Sequence, residues 1–278
     1  MKLKLVTSVI FAAFAATSGA ANAGLLWGNS AGASVVIEAV DQTTLAVVHQ
    51  YSAGSGNGRG VVVVGDVVYW TKVSDNHIYK MDANTGLSLG SIATSVASMS
   101  TIGWDGSQFW TSDYAGSNQA YRIDTSGAVT KTIALALATG NSDGMEYFNG
   151  KLIANRCDAC GIYDVYDLNG VLITAGFINS GASTTGIAFD GTDFLVSTLS
   201  SNGIMKFNGT TGALISNTTV GGPAPATGYG RLWEDLSVDY AARKDTGGGN
   251  PVPEPASLAL VGLGLAGLAA VRRRKQAA

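Results

Sequence analysis

The sequence predicts an all-β protein, and three observations carry that prediction. Glycine supplies 37 of 278 residues but proline only 5. That balance suits many tight turns, and the lack of a Gly-X-Y period excludes collagen. Charged residues are 13% of the chain and hydrophobic residues 46%, which excludes a highly charged disordered chain and a long coiled coil. The interior also repeats. A glycine before an apolar or aromatic run recurs at Gly24, Gly65, Gly106, Gly150 and Gly191, at spacings of 41, 41, 44 and 41 residues. That period and content fit a unit of four short antiparallel strands.

Each unit has the same internal order. An innermost strand is predicted at 61–64, 101–104, 145–148 and 186–189. Asp105-Gly106, Asn149-Gly150 and Asp190-Gly191 then predict two-residue hairpins, in which both central residues need positive φ. The second strand follows each repeating glycine. The third falls at 35–37, 77–81, 120–123, 162–166 and 203–207. A polar turn at 82–86, 124–127, 167–170 and 208–212 leads to the fourth. Repeat one lacks an innermost strand, and the apolar-polar run 232–239 can supply it. Pairing the two ends in one blade closes the ring and leaves no open blade. The expectation is therefore a five-bladed β-propeller over residues 24–240, with a six-bladed ring as the main alternative.

The two ends read as addresses. Lys2 and Lys4, the apolar stretch 5–16 and the small residues Ala21 and Ala23 make residues 1–23 an export signal helix, cut by signal peptidase before Gly24. Residues 241–252, with three successive glycines, read as a flexible linker. Pro253-Glu254-Pro255 precedes sixteen uncharged residues, 256–271, and the basic stop Arg272, Arg273, Arg274 and Lys275. As a helix this stretch reaches about 24 Å, short of the ~30 Å hydrocarbon core. Snorkelling arginines and local thinning close the difference. The basic cluster sets an N-outside, C-inside transmembrane helix. Gly262, Gly264 and Gly267 spell a dinucleotide fingerprint, but they lie in this apolar span and follow no strand, so that reading is rejected.

The run VPEPASLALVGLGLAGLAAVRRRKQAA resembles a PEP-CTERM sorting signal. The resemblance implies processing by an exosortase, a membrane-embedded cysteine-dependent transpeptidase of Gram-negative bacteria. It also implies an inner-membrane-anchored precursor and a mature protein at the cell surface or in the extracellular matrix, often in exopolysaccharide-producing bacteria. The blade segments GIAFDGTDFLVST and GIMKFNGTTGALI resemble NHL-type repeats and five-bladed glutamine cyclotransferases. That likeness implies the fold and transfers no catalytic residue.

Residues 24–250 hold 11 basic and 19 acidic side chains, a net charge of −8. Such a domain is not a non-specific binder of nucleic acid or anionic membrane. Cys157 and Cys160 are the two cysteines of an exported chain, and a local disulfide is expected between them. Gly28-Asn29-Ser30-Ala31-Gly32 spells G-x-S-x-G but reads as a turn between strands. The glycine-rich run 54–60 reads as a connector between blades one and two. Propeller geometry places Asp75, His77, Asp113, Tyr114 and Arg156 on one face around the axis. Asp143, Glu146, Glu234 and Asp235 fall at or near innermost strands, as a candidate ligand or Ca²⁺ face. No ligand spacing repeats from blade to blade, and no other cofactor is indicated. Trp27, Trp70 and Trp110 recur at one strand position and mark inter-blade core. With two histidines and no acid–base pair of recognisable spacing, no catalytic residue is assigned. The favoured function is a non-enzymatic surface module contacting exopolysaccharide, a surface protein or a small ligand. The alternative is a secreted hydrolase or lyase using channel carboxylates.

Overall fold

The computed structural model describes residues 24–158, 160–199, 202–223, 225 and 231–243. The export signal, most of the linker and the sorting segment lie outside the described residues. Blade one contains β1 (Leu25–Ser30), β2 (Ser34–Asp41) and β3 (Val47–Ser55). Blade two is β4 (Gly58–Val64), β5 (Val67–Lys72), β6 (His77–Asp82) and β7 (Ser88–Ala93). Blade three is β8 (Gly103–Trp104), β9 (Phe109–Ser112), β10 (Gln119–Ile123) and β11 (Val129–Ala134). Blade four is β12 (Met145–Phe148), β13 (Lys151–Asn155), β14 (Ile162–Asp167) and β15 (Leu172–Asn179). Blade five is β16 (Thr184–Phe189), β17 (Asp193–Thr198), β18 (Gly203–Asn208) and β19 (Leu214–Thr219), and β20 (Trp233–Val238) follows. The strands form five four-stranded antiparallel sheets, and β20 is the missing first strand of blade one, in the order β20-β1-β2-β3. Five blades, not six, complete the ring.

Burial falls from the axis outward and explains the residue types. β16, β17 and β20 are buried along their whole length, whereas the outermost strands β7 and β19 are almost entirely exposed. The inner strands carry continuous apolar runs because both faces are covered. Apolar clusters fill the wedges between blades. Trp27 and Trp70 lie in the cluster joining blades one and two, and Trp110 in the cluster of blade three with its neighbours. Phe148, Phe189 and Phe194 seal blades four and five, with ring centroids 4.9–5.6 Å apart. The recurring tryptophans are thus core.

Ring closure is antiparallel pairing of β20 with β1, from Leu26↔Val238 to Ser30↔Trp233. Gly28 lies in β1 rather than in a turn. A Cβ there would stand 2.4 Å from the Trp233 ring, so only glycine lets the closing strand sit flush. The G-x-S-x-G run is therefore mostly strand, with the turn beginning at Ala31. The run 54–60 is also mostly strand. β4 begins at Gly58, where a Cβ would meet the Asn29 side chain at 2.0 Å.

The hairpin turns divide into two kinds. Asn149 (φ 46°) and Gly150 (φ 75°) form the expected two-residue turn. At Asp105 and Asp190 the loops are longer, 105–108 and 190–192. There the carboxylate accepts the next N–H groups: Ser107 and Gln108 at 3.0 and 2.9 Å, and Thr192 and Asp193 at 2.8 and 2.7 Å. An aspartate that bonds its own turn can replace a second positive-φ residue. The turn from third to fourth strand uses the same device in every blade. The Thr44 N–H and hydroxyl, with the Thr43 N–H, hold the Asp41 carboxyl below its usual pKa range, and the Thr85 hydroxyl does so for Asp82. The Ser126 hydroxyl acts on Asp124, and the Val171 N–H on Asp167. In blade five Asn208 accepts from Thr210 and Thr211.

All inner strands run the same way along the axis, as the parallel bridge Val63↔Asp239 shows. Gly58, Trp233 and Thr184 open their strands at one end, here the mouth end. Leu25 enters and Val238 leaves at the opposite, far end.

Candidate functional site

Glycines and small hydroxyls at the starts of the inner strands let their backbones converge, and charged side chains gather there. Arg59 projects from β4, Glu234 from β20 and Asp143 from the segment before β12. Asp143 is fixed by its neighbours. The Ser142 hydroxyl donates to Asn155 O at 2.9 Å, and Gly144 N–H donates to Asn155 Oδ1 at 3.1 Å. Arg59 Nη1 lies 2.9 Å from Glu234 Oε2 and 3.9 Å from Asp143 Oδ2. The Ser100 hydroxyl donates to Asp143 Oδ1. Tyr114 lays its ring 4.1 Å from the guanidinium carbon and donates to Asp158 Oδ2 at 3.4 Å. Asp158 stands on the short loop closed by the Cys157–Cys160 disulfide, whose Cα atoms are 5.5 Å apart.

Burial dominates the protonation of this cluster. It pushes the Asp143 carboxyl up to about 8, helped by the neighbouring Asp158 carboxyl and opposed by Ser100 and Arg59. Burial also raises Glu234, against the pull of Arg59. An ordinary aspartate titrates near 4. Between that pH and about 8 the folded chain keeps a proton on Asp143 that the unfolded chain releases. Stability therefore rises as pH falls across that window. The thermal midpoint should be higher at about pH 5 than at about pH 8, and Asp143→Asn should reduce that rise. An unchanged rise in the variant would contradict this assignment. The turn aspartates do not interfere, because their lowered pKa values place their loss of stabilisation below about pH 4.

The four acids expected to share a face do not share one. Asp143 and Glu234 meet at the mouth. Asp235 sits mid-axis: Oδ2 accepts from Val61 N, Ile102 N and the Thr101 hydroxyl at 3.1, 3.1 and 2.9 Å, and Oδ1 accepts from Leu236 N at 3.0 Å. Ser237 and Asp239 continue this stitching, accepting Val63 N at 3.0 Å and Gly65 N at 2.8 Å. Alternate side chains of β20 thus satisfy alternate N–H groups on the open edge of β4. Glu146 points toward the far end, where it meets the Tyr240 hydroxyl and, at 2.9 Å, Arg243. Arg243 belongs to the stretch read as linker. These four acids form no oxygen cage for Ca²⁺, since a guanidinium of the chain itself lies beside two of them and backbone donors fill the third. Among the described residues no group of three or more His, Cys, Asp or Glu is placed to hold a metal ion.

The second set of expected face residues also divides. Arg156 is held by Asp164 through two bonds of 2.7 and 2.8 Å, and Asp113 accepts from Ala115 N, Ser117 N and the Tyr121 hydroxyl. Tyr114 covers the mouth. Asp75 and His77 line a groove of about 650 Å³ beside it. Asp75 Oδ1 lies 2.8 Å from His77 Nδ1, and Oδ2 accepts from the Tyr79 hydroxyl at 2.7 Å. Sequence reasoning missed Arg59, Ser100 and Asp158. Arg59 had a usable signal, since it is a lone cation inside a glycine-rich run. Asp158 carries no signal of its own, because its Cys-x-x-Cys setting points only to a disulfide.

Residues 251–275 match the PEP-CTERM protein-sorting motif. The chain carries a PEP-CTERM sorting signal. The match covers the tail and leaves the propeller unassigned. No curated protein matches the sequence. Among solved structures, the fold resembles a chain in the crystal structure of a nidogen/laminin complex, with a TM-score of 0.53 and 12% identity, covering 79% of this chain and 99% of that one. Myxococcus xanthus glutaminyl cyclase gives a TM-score of 0.49 and 12% identity, covering 64% of this chain and 88% of that one. At such identity the first likeness is one of fold alone. The PEP-CTERM signal implies exosortase-dependent sorting of whatever precedes it, and here that is a propeller.

Proposed function

We propose that the protein is an exported, non-enzymatic binding module of the cell surface or extracellular matrix. Its propeller presents the mouth end to exopolysaccharide or to a surface protein. The observation that carries this reading is the order of parts, with a rigid propeller in front of a PEP-CTERM signal at residues 251–275. Signal peptidase and exosortase are its partners during maturation, and residues 256–271 hold the precursor in the inner membrane. Surface biotinylation followed by mass spectrometry tests it. The surface form should begin at Gly24 and lack 256–278, and removal of 253–278 should abolish surface labelling. A surface form that retains 256–278, or surface labelling that survives the deletion, contradicts the reading.

One observation favours a second reading, a polysaccharide hydrolase or lyase. Asp143, held protonated to about pH 8 beside Asp158 and Glu234, has the protonation a general acid needs near neutrality. New reducing ends or unsaturated sugar products, on incubating the purified protein with polysaccharide, would support that reading. Bound but unchanged polymer supports the module.

A further inference from the structure

We propose that the mouth and the groove beside it bind a neutral polysaccharide, with one sugar at Arg59, Asp143 and Tyr114 and the chain running outward past His77. This rests on the binding-module reading and names its ligand class. The first support is a pair of buried atoms. Arg59 Nε–H has no hydrogen-bond partner although its side chain is 7% exposed, and Asp143, 1% exposed, presents Oδ2 to the same guanidinium at 3.9 Å. An unsatisfied buried donor costs free energy that a ligand can return. A guanidinium N–H beside a protonated carboxyl is a pair that sugar hydroxyls match, since each hydroxyl both donates and accepts.

Among the described residues, the half-buried side chain of Tyr114 lies against that guanidinium. Tyr114 rests on the guanidinium, and its hydroxyl bond to Asp158 is long, at 3.4 Å. Rotating Tyr114 aside uncovers the pair and offers an aromatic face to a sugar ring. The groove adjoins it directly, because Tyr114 N–H donates to the carbonyl of Ser98, a groove residue, at 2.8 Å. Ser74, Asp75, Asn76, His77 and Tyr79 supply hydroxyl, carboxylate, amide and ring partners along its length. The groove is shallow and open, about 650 Å³, which suits an extended chain lying along the surface rather than an enclosed small molecule.

Charge decides between neutral and acidic polymers. Arg59 and Lys72 are the cations beside this surface, and each is already paired, with Glu234 at 2.9 Å and with Asp75 at 3.5 Å, while Asp158 adds a further carboxylate. Carboxylate-bearing sugars find these cations already taken and meet Asp158, whereas hydroxyls need no free cation.

Affinity electrophoresis of the purified full chain through gels containing dextran, a neutral mannan or sodium alginate tests the proposal. At least one neutral polymer should retard the protein, and alginate should not. Tyr114→Ala and His77→Ala, checked for unchanged circular dichroism, should each weaken retardation about tenfold, the loss of one good contact. Absence of retardation by either neutral polymer overturns the assignment, as does equal retardation by alginate or full retention by both variants. A protein that reaches the surface yet ignores both neutral polymers refutes this ligand and leaves the export reading standing. Failure to reach the surface refutes that reading whatever the gels show.

Discussion

Asp235→Ala should lower the stability of the propeller by at least about 4 kcal/mol, or prevent folding outright. The carboxylate accepts four hydrogen bonds from residues of three inner-strand segments, and it is fully buried. Each stranded buried donor costs about 1–3 kcal/mol, against a typical total of about 5–15. Burial raises the Asp235 pKa well above the ordinary range, while the Ile102 N–H and Thr101 hydroxyl pull the other way. Asp235→Asn keeps one carbonyl oxygen for the three donors at Oδ2 and fails only toward Leu236. About half the loss is expected from it. Urea denaturation measures both, and a shifted midpoint at constant slope identifies a change in stability. A loss under about 1 kcal/mol for the alanine variant would remove Asp235 from its place as the axial hub.

Glu38→Ala should be nearly as severe, at about 3–5 kcal/mol, the usual result of removing one partner of a buried ion pair. Glu38 and Arg231 are 0% and 2% exposed. They are joined by two bonds of 3.0 and 3.1 Å, and Glu38 also accepts the Trp233 indole N–H at 3.0 Å and the Gln50 amide at 3.0 Å. The variant strands a guanidinium and an indole N–H beside the closing strand. Hydrogen exchange should therefore accelerate first in β1 and β20, ahead of blades three and four. Glu38→Met combined with Arg231→Met should recover part of the loss, because the lone charge goes with its partner. Uniform acceleration across all blades, or no recovery in the double variant, would mean that this pair does not secure the closure.

The fold was largely legible because the repeat shows one blade pattern five times. Period, turn residues and the missing first strand of blade one together predicted the closure that β20 makes at 233–238. Local detail was less legible where two devices compete for one turn. Asp-Gly fits a two-residue hairpin, yet at Asp105 and Asp190 the carboxylate bonds its own loop and lengthens it. The glycines of 28–32 and 54–60 looked like turns because their reason lies far off in sequence, in Trp233 and Asn29. The site was only half legible for the same reason. Asp143 and Glu234 were found from their strand positions, but nothing local separates an acid that faces Arg59 from one that caps N–H groups on a neighbouring edge. The alternation Asp235, Ser237, Asp239 was the available clue, since a period of two beside an inner strand marks stitching rather than ligand contact.

Because the closing strand leaves the ring at the end opposite Arg59 and Tyr114, any tether attached behind Tyr240 pulls from the back of the disc. On the proposed reading, a precursor still held by its tail has the Arg59 end of the ring on the side away from its attachment.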